Sequence, residues 1–373
     1  MFKQPNVGLA NVGKSTFFQA ITRSKLGNPA NYPFATIEPE EARVIVPCDR
    51  LSHLQHLYSS QKKVPATLKI FDIAGLVRGA ATGEGLGNQF LSDIRAVDGI
   101  FQVVRGFQSD EITHIEGSVD PVRDLTIVQD ELLLKDMEFA ENSIERLQRQ
   151  LKNRSGKSPQ ELKDIKEEVD TLTVALDYLM DGRRIASNKQ WSDSQIEILN
   201  RNNFLTAKPC VFLLNTDLHD FESQSNDFLE SVEEWVSLNS PGSETILFSA
   251  QNEWDLSEIS DTESKSALPT IITAMRNALG LISYYTCGPL EARQWTVREN
   301  TLAPEAASVI HTDLRDTFIN AEVIKYAEVA DLQPPFDEKT LKSKGRVQRV
   351  GKAYVVEDGD IVHFKAAAGK NRK

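Results

Sequence analysis

An eight-residue segment near the start of this 373-residue chain constrains the fold more than any other feature. Residues Gly8–Ser15 read GLANVGKS and match the phosphate-binding pattern GxxxxGK[ST] at every fixed position. Such a segment works as a tight loop between a β-strand and an α-helix, where backbone N–H groups and the helix N-terminus surround a phosphate. Lys14 would bridge the β- and γ-phosphates, and the Ser15 hydroxyl would bind Mg²⁺. The residues predicted to bind the phosphates are Asn11, Val12, Gly13, Lys14, Ser15 and Thr16.

Two further segments supply the partners that this loop needs. Asp72 ends an apolar run in Asp72-Ile-Ala-Gly75, so we predict that it holds Mg²⁺ through a water molecule. The backbone N–H of Gly75 would contact the γ-phosphate and so take part in catalysis. Thr36 is the predicted second protein ligand of Mg²⁺. Five glycines in Gly75–Gly87 indicate a segment whose conformation follows the bound nucleotide.

Short apolar runs alternate with helical stretches on both sides of these motifs. Leu68–Phe71, Ile100–Val104, Cys210–Leu214 and Thr245–Phe248 are typical of buried strands. Their alternation with helices predicts an α/β fold with a mostly parallel sheet.

A heptad pattern interrupts this alternation. Apolar residues recur from Leu133 to Leu151 and again from Leu162 to Leu179, which predicts an inserted α-helical coiled-coil hairpin. The predicted organisation has five parts. Residues 1–129 and 206–280 form a nucleotide-binding domain, 130–205 the helical arm, 281–366 a small α+β domain, and 367–373 a basic tail.

Composition narrows the function classes. A net charge of −12 argues against binding nucleic acid over the whole surface. Between Lys339 and Lys373, however, ten Lys and Arg face only three acidic residues, so this segment either meets RNA or simply stays solvated. Three widely spaced cysteines indicate a reducing compartment. No apolar run approaches the roughly 20 residues of a membrane span. We expect a cytoplasmic monomer that does not bind membranes.

Seven segments closely resemble the YchF family of Obg-like ATPases. They read NVGKST, NYPFATIEPEEARV, DIAGLVRGA, GEGLGNQFL, ITHIEGSVDPVRD, HTDLRDTFINAEV and AYVVEDGDIVHF. The resemblance implies a P-loop G domain, an inserted coiled-coil arm and a C-terminal TGS domain of ubiquitin-like α+β fold. It also implies hydrolysis of nucleotide with ATP preferred to GTP, a conformational switch, and association with ribosomes.

The predicted base pocket departs from the family pattern. Guanine-specific relatives carry NKxD and this family carries NxxE, whereas this chain reads Asn215-Thr-Asp-Leu218. Asn215 and Thr216 would lie beside the purine, as would Ser249 and Ala250. Leu218 stands at the carboxylate position and can accept no hydrogen bond. Leaving two guanine donors unpaired costs about 1–3 kcal/mol each, so strong guanine specificity is not expected. The alternative is that Asp217 substitutes after a local shift.

The catalytic water also lacks an obvious partner. Ras-like enzymes place a glutamine directly after the DxxG glycine, and this chain has Leu76 there. His114 matches a histidine of the family's mobile loop and is the predicted water-orienting residue; the alternative is an exposed histidine without a catalytic role. Asn11 offers a second device, because related enzymes with asparagine at that position use K⁺.

These observations favour an ATPase switch with relaxed base choice. The alternative is a ribosome- or RNA-binding module whose nucleotide site is a slow timer or a relic. Only the enzyme would release phosphate over many turnovers. A small-molecule kinase is less favoured, because no domain for a phosphate acceptor is evident.

Overall fold

The computed structural model describes residues 2–23, 41–72, 95, 97–153, 155–258 and 265–367. Thr36, Gly75 and residues 368–373 of the predicted tail lie outside these ranges. The chain divides into two compact units. Unit 1 comprises Met1–Val44 and Leu68–Ile271, and unit 2 comprises Ile45–Thr67 and Ile272–Lys373. Of the helices in the described ranges, none combines the length and apolar character that crossing a bilayer requires.

A six-stranded sheet forms the centre of unit 1, in the order β2-β4-β1-β5-β6-β7. Strand β1 runs parallel to β4 and β5, and β6 runs parallel to β5 and β7. Every residue of β5 and β6 is buried, as expected for central parallel strands covered on both faces. The predicted mostly parallel α/β fold is therefore confirmed. The strands are β1 (Lys3–Val7), β2 (Glu41–Ile45), β4 (Thr67–Asp72), β5 (Ile100–Arg105), β6 (Cys210–Asn215) and β7 (Glu244–Phe248).

Unit 1 also contains helices, and the last of them continues along the chain into unit 2. A short 3-10 turn spans Ile185–Ser187. The helices are α1 (Lys14–Arg23), α3 (Pro121–Lys152), α4 (Pro159–Met180), α5 (Asp193–Asn202), α6 (Leu218–Ser223), α7 (Leu229–Asn239), α8 (Ala250–Glu258) and α9 (Leu268–Ala278).

The long helical insert is confirmed, but it begins earlier than predicted. Helix α3 starts at Pro121, where Asp120 caps it by accepting a hydrogen bond from the backbone of Arg123. The predicted boundary at residue 130 therefore cuts a continuous helix. The heptad pattern identifies only the part that packs against α4. The first three turns of α3 are buried on several faces, which hides the period.

The hairpin core contains the predicted heptad residues. Leu133, Ala140 and Leu147 of α3 pack in one cluster with Leu172 and Leu179 of α4. Helix α4 begins with a capping box in which Ser158 and Glu161 exchange hydrogen bonds, so its start is fixed locally.

Unit 2 is built on a second six-stranded sheet, in the order β11-β10-β12-β8-β9-β3. Three of its strand pairs are antiparallel, whereas β12 runs parallel to β8 and β3 parallel to β9. The predicted α+β character is confirmed. The elements are α2 (Asp49–Leu57), β3 (Lys62–Val64), β8 (Leu281–Cys287), β9 (Glu291–Arg298), α10 (Ala303–Ile310), α11 (Thr312–Asp316), β10 (Phe318–Lys325), a 3-10 turn (Tyr326–Glu328), α12 (Glu338–Ser343), β11 (Gln348–Val350) and β12 (Asp360–Ala366).

The predicted domain boundaries need a correction here. Residues 1–129 were expected to belong wholly to the first part of the nucleotide-binding domain. Ile45–Thr67 instead lie in unit 2, where Lys62 pairs with Glu291 and Leu54 is buried in a cluster with Tyr285. The physical reason is that a short amphipathic segment shows which face is buried, but not which sheet buries it.

Candidate functional site: the phosphate loop and its neighbours

The predicted phosphate loop connects β1 to α1, as its motif requires. Asn11 and Gly13 have φ angles of +63° and +97°, in the left-handed region that glycine and asparagine tolerate. A Cβ atom on Gly8 would lie 2.3 Å from the carbonyl oxygen of Val103 on β5, so only glycine fits against that strand. Helix α1 begins at Lys14. The six predicted phosphate-binding residues therefore lie together at a helix N-terminus, where a phosphate is favoured.

Lys14 is buried and folded across the loop. Its Nζ donates a hydrogen bond to the carbonyl oxygen of Leu9 at 2.6 Å. Burial lowers the pKa of the Lys14 ammonium to about 8, although the charge of Asp72 acts in the opposite direction. The ammonium can exchange this carbonyl for phosphate oxygens, which would restore the favourable charge pairing that burial removes.

Ser15 and Asp72 meet beside Lys14. Asp72 ends β4, next to Asn6 of β1, and its carboxylate accepts a hydrogen bond from the Ser15 hydroxyl. Burial raises the pKa of Asp72, against the opposing effects of Ser15 and Lys14. The second carboxylate oxygen, Oδ1, is buried and has no hydrogen-bond partner in the described part of the chain.

This donor set fits Mg²⁺. A hydroxyl and a carboxylate with an unsatisfied oxygen are the hard ligands that this cation prefers, with phosphate and water completing the shell. Within the described ranges there is no cluster of three or more His, Cys, Asp or Glu side chains suited to a metal.

Asn215 has a role that its motif did not reveal. Its Nδ2 donates to the carbonyl oxygen of Val12 at 2.9 Å, and its Oδ1 accepts from the backbone N–H of Ala250 at 2.9 Å. The side chain thus fastens the phosphate loop to the segment predicted to lie beside the purine. Contact between Asn215 and a purine stays a prediction.

The remaining base-pocket residues lie at the ends of β6 and β7. Thr216 is buried, and its backbone N–H donates to the carbonyl oxygen of Phe248 at 2.9 Å. The hydroxyl of Ser249 accepts a 3.4 Å hydrogen bond from the backbone of Asn252, in the first turn of α8. Ala250 begins that helix. The structure therefore brings Thr216, Ser249 and Ala250 next to Asn215.

Leu218 is the first residue of α6, and the residue is 48% exposed. The alternative carboxylate, Asp217, caps this helix by accepting a hydrogen bond from the backbone of Asp220 at 2.9 Å. Turning Asp217 toward a base would uncap α6, which typically costs about 1 kcal/mol. Asp217 therefore serves as a helix cap in this structure, and Leu218 stands at the position predicted to read guanine.

His114 is buried, so it is not the exposed histidine of the alternative interpretation, and both of its ring nitrogens have partners. Only 7% of the residue is exposed. Its Nε2 lies 2.7 Å from Oδ2 of Asp124, and its Nδ1 accepts a 3.1 Å hydrogen bond from the backbone N–H of Glu116. Both ring nitrogens are thus occupied, so a catalytic role for His114 stays a prediction that requires one of these bonds to open.

Two contacts around His114 went unpredicted. Asp124 is 2% exposed and sits in the first turn of α3. The amide nitrogen of Asn11 donates to the carbonyl oxygen of Thr113 at 3.2 Å, which joins the phosphate loop to the loop before His114. The available signal was Asp120-Pro121, a typical helix start that places Asp124 within the first turn.

Comparison with known proteins finds two family models and several relatives that resemble this chain. A family model described as "50S ribosome-binding GTPase" matches residues 6–142. A model of the C-terminal domain of YchF-type GTPases, described as "Protein of unknown function (DUF933)", matches residues 281–367. The "Obg-like ATPase homolog" of Saccharomyces cerevisiae is 52% identical over 385 residues, covering 98% of this chain and 95% of that protein.

Two further relatives extend the comparison. "Obg-like ATPase 1" of Homo sapiens is 43% identical over 369 residues, covering 96% of this chain and 91% of that protein. A solved structure, "Structure of the Schizosaccharomyces pombe YchF GTPase", superposes with a TM-score of 0.86 at 46% identity. The match covers 98% of this chain and 97% of that one.

Proposed function

Because the chain belongs to the YchF family of Obg-like ATPases, and is thus a P-loop nucleoside triphosphate hydrolase, we propose that it hydrolyses ATP at least as readily as GTP. The hydrolysis depends on Mg²⁺ and drives a conformational switch. The observation that carries the base preference is Leu218, a half-exposed leucine where guanine-specific relatives have a carboxylate.

The base preference follows from hydrogen bonding. Guanine presents two N–H donors where NKxD enzymes place a carboxylate, and Leu218 offers neither an acceptor nor a charge. Asp217 is held as the cap of α6. Adenine has no donor at the corresponding ring nitrogen and loses nothing from the missing carboxylate. The pocket therefore removes the advantage of GTP without penalising ATP.

The phosphate end of the site supplies charge stabilisation. Ser15 and the unsatisfied oxygen of Asp72 would hold Mg²⁺, Asp72 through a water molecule, together with Thr36. When bound, Mg²⁺ neutralises charge on the β- and γ-phosphate oxygens. Lys14 would leave Leu9 for the same oxygens, and the N–H of Gly75 would meet the γ-phosphate. The side-chain oxygen of Asn11, whose amide nitrogen donates to the carbonyl oxygen of Thr113, is the proposed contact for K⁺.

Base choice can be measured directly. Isothermal titration with non-hydrolysable ATP and GTP analogues should give the parent protein an ATP affinity equal to or above its GTP affinity. Leu218→Asp restores an acceptor for two donors worth about 1–3 kcal/mol each, so the GTP/ATP affinity ratio should rise at least tenfold. Leu218→Asn, of the same shape without the charge, is the matched control and should shift the ratio much less. A parent protein that binds GTP a hundredfold more tightly than ATP would refute this proposal.

We also propose that the protein binds the ribosome. The match to the family described as "50S ribosome-binding GTPase" supports this assignment. Exposed Lys339, Lys344, Arg349 and Lys352 of unit 2 add basic side chains suited to RNA. In this proposal the protein acts as a cytoplasmic monomer. Sedimentation with purified ribosomes tests the proposed ribosome binding. We expect binding to be lost when these four residues are changed to glutamine.

A further inference from the structure

We propose that Asp124 is the positioning residue of His114, fixing its tautomer and joining its loop to the first turn of helix α3. The inference rests on the proposed function, because it assigns Asp124 a part in hydrolysis through His114. It starts from a buried histidine–carboxylate pair, 2.7 Å between Nε2 and Oδ2, which the phosphate-binding machinery does not otherwise use.

The hydrogen bonds define the tautomer of His114. The backbone N–H of Glu116 points at Nδ1 from 3.1 Å, so Nδ1 must present a lone pair. The ring proton is therefore on Nε2, from which it donates to Asp124. Asp124 in this way holds the ring proton on Nε2 and leaves the lone pair on Nδ1. The buried aspartate of a catalytic triad orients its histidine in the same manner, but through Nδ1.

Asp124 is itself held from the other side. The guanidinium of Arg123 donates to Oδ1 of Asp124 from Nε at 3.2 Å and from Nη2 at 3.0 Å. Arg123 is anchored in turn on the carbonyl oxygen of Ser118 at 2.6 Å. A carboxylate that is 2% exposed needs such a partner, since an unpaired buried charge is strongly destabilising. Both oxygens of Asp124 thus have assigned donors, and its rotation is blocked.

Only one of the two bonds to His114 is local. Glu116 lies two residues away in the same loop, whereas Asp124 belongs to a 32-residue helix. Thr113 of this loop is bonded to Asn11 of the phosphate loop. A nucleotide that shifts this loop can withdraw the Glu116 N–H from Nδ1 while the bond to Asp124 persists. The freed lone pair of Nδ1 is then available to accept a hydrogen bond from water.

In the hydrolysis step His114 orients the water and is not consumed. The water oxygen bonds to the γ-phosphorus, and the bond to the β–γ bridging oxygen breaks with its electron pair left on ADP. One water proton stays on inorganic phosphate, and the other is released to solvent. Asp124 contributes by holding the ring proton on Nε2, so that Nδ1 presents its lone pair to the water.

The test is Asp124→Asn in the full chain. Arg123 requires an acceptor on its side of residue 124, so the asparagine NH₂ would face Nε2 of His114. The imidazole must then accept at Nε2 and carry its proton on Nδ1, where it conflicts with the N–H of Glu116. We expect ATP affinity within about threefold of the parent and single-turnover hydrolysis slowed at least tenfold, since orienting and acid–base groups contribute about 10²–10⁴-fold.

A spectroscopic readout separates positioning from simple stabilisation. Nitrogen-15 NMR of the His114 ring should report the Nε2–H tautomer in the parent and its loss in Asp124→Asn. Arg123→Ala provides a second variant, which should keep the Nε2–H tautomer and slow hydrolysis less than Asp124→Asn. Asp120→Asn, an equally good cap on the same helix that does not contact His114, is the matched control and should leave the rate unchanged.

Each remaining outcome is decisive. If His114→Ala slows hydrolysis but Asp124→Asn does not, or if the tautomer persists in Asp124→Asn, the inference is overturned and the proposed function stands. If His114→Ala hydrolyses ATP at the parent rate, His114 has no role to be positioned for and the inference again fails. Absence of phosphate release by the parent itself would overturn the proposed function instead.

Discussion

Replacing Gly13 by alanine tests the central contact of the nucleotide site, the one between the phosphate loop and Asn215. A Cβ atom at residue 13 would lie 2.3 Å from Nδ2 of Asn215, far inside van der Waals contact. The asparagine must move away, which breaks its bonds to the carbonyl oxygen of Val12 and the N–H of Ala250. The substitution also imposes a φ of +97° on an L-residue.

The magnitude follows from these two terms. Left-handed backbone costs a non-glycine residue about 1–2 kcal/mol. Buried backbone groups left without a partner cost about 1–3 kcal/mol each, and Val12 and Ala250 each lose one. Allowing for partial relaxation, we expect Gly13→Ala to lower the free energy of unfolding of unit 1 by about 3–5 kcal/mol. Urea unfolding followed by circular dichroism measures the loss, and hydrogen exchange at the amide of Ala250 locates it.

Gly242→Ala is the matched control. Gly242 has a φ of +89° in the same unit, and no atom lies within 4 Å of the Cβ atom that it would gain. It should therefore show the backbone cost alone. In an Asn215→Ala background, Gly13→Ala should likewise cost only about 1–2 kcal/mol, because the colliding side chain is gone. Equal costs for Gly13→Ala and Gly242→Ala, or an undiminished cost in that background, would refute the role assigned to Asn215.

Two further variants test the frame around the site. Asp136 is fully buried and accepts hydrogen bonds from the backbone of Leu205 and Thr206. Asp136→Ala should therefore lower the free energy of unfolding of unit 1 by about 2–5 kcal/mol, measured in urea. A loss below about 1 kcal/mol would contradict the role of these hydrogen bonds. Hydrogen bonds from two lysine side chains lower the pKa of Glu322 from 4.5 to about 2, so its ion pairs stabilise unit 2 above pH 4.5 and are lost as the pH falls toward 2. Glu322→Gln should therefore lower the free energy of unfolding of unit 2 by about 1 kcal/mol at pH 7. The difference in unfolding free energy between this variant and the parent should shrink toward pH 2. A difference that does not change with pH would contradict the ion pairing of Glu322.

The parts that could be predicted from the sequence are those encoded by contiguous residues. The phosphate loop needs one strand, one helix and two special backbone positions, all within Lys3–Arg23, and each leaves a mark on the local sequence. The hairpin could also be predicted from the sequence, in the part where Leu133 and its heptad partners pack against one neighbouring helix. Both predictions depend on short-range geometry, which periodicity and glycine placement report directly.

The unpredicted features depend on contacts between distant residues. Asn215 lies 203 positions from Val12, and its motif indicated a base contact rather than a fastening of the loop. The place of β3 in the second sheet could not be predicted, because its ladder partner, β9, lies more than 200 positions later. The burial of His114 could not be inferred either, because it depends on a hydrogen bond to Asp124. In the sequence Asp124 looks like an ordinary acidic residue at the start of a helix. Patterns identified the functional segments but not the side chains that brace them.

Helix α3 carries two of these buried side chains, Asp124 and Asp136. Asp124 in its first turn holds His114, and Asp136, three turns further on, lies 3.6 Å from the guanidinium of Arg95. Arg95 also packs over the ring of Phe139 at 4.0 Å. Arg95 follows the glycine-rich segment that the sequence marks as responsive to nucleotide. An α-helix of 32 residues is about 48 Å long. The two buried acids therefore anchor the N-terminal half of α3, and the remainder of the same helix packs against α4 in the hairpin.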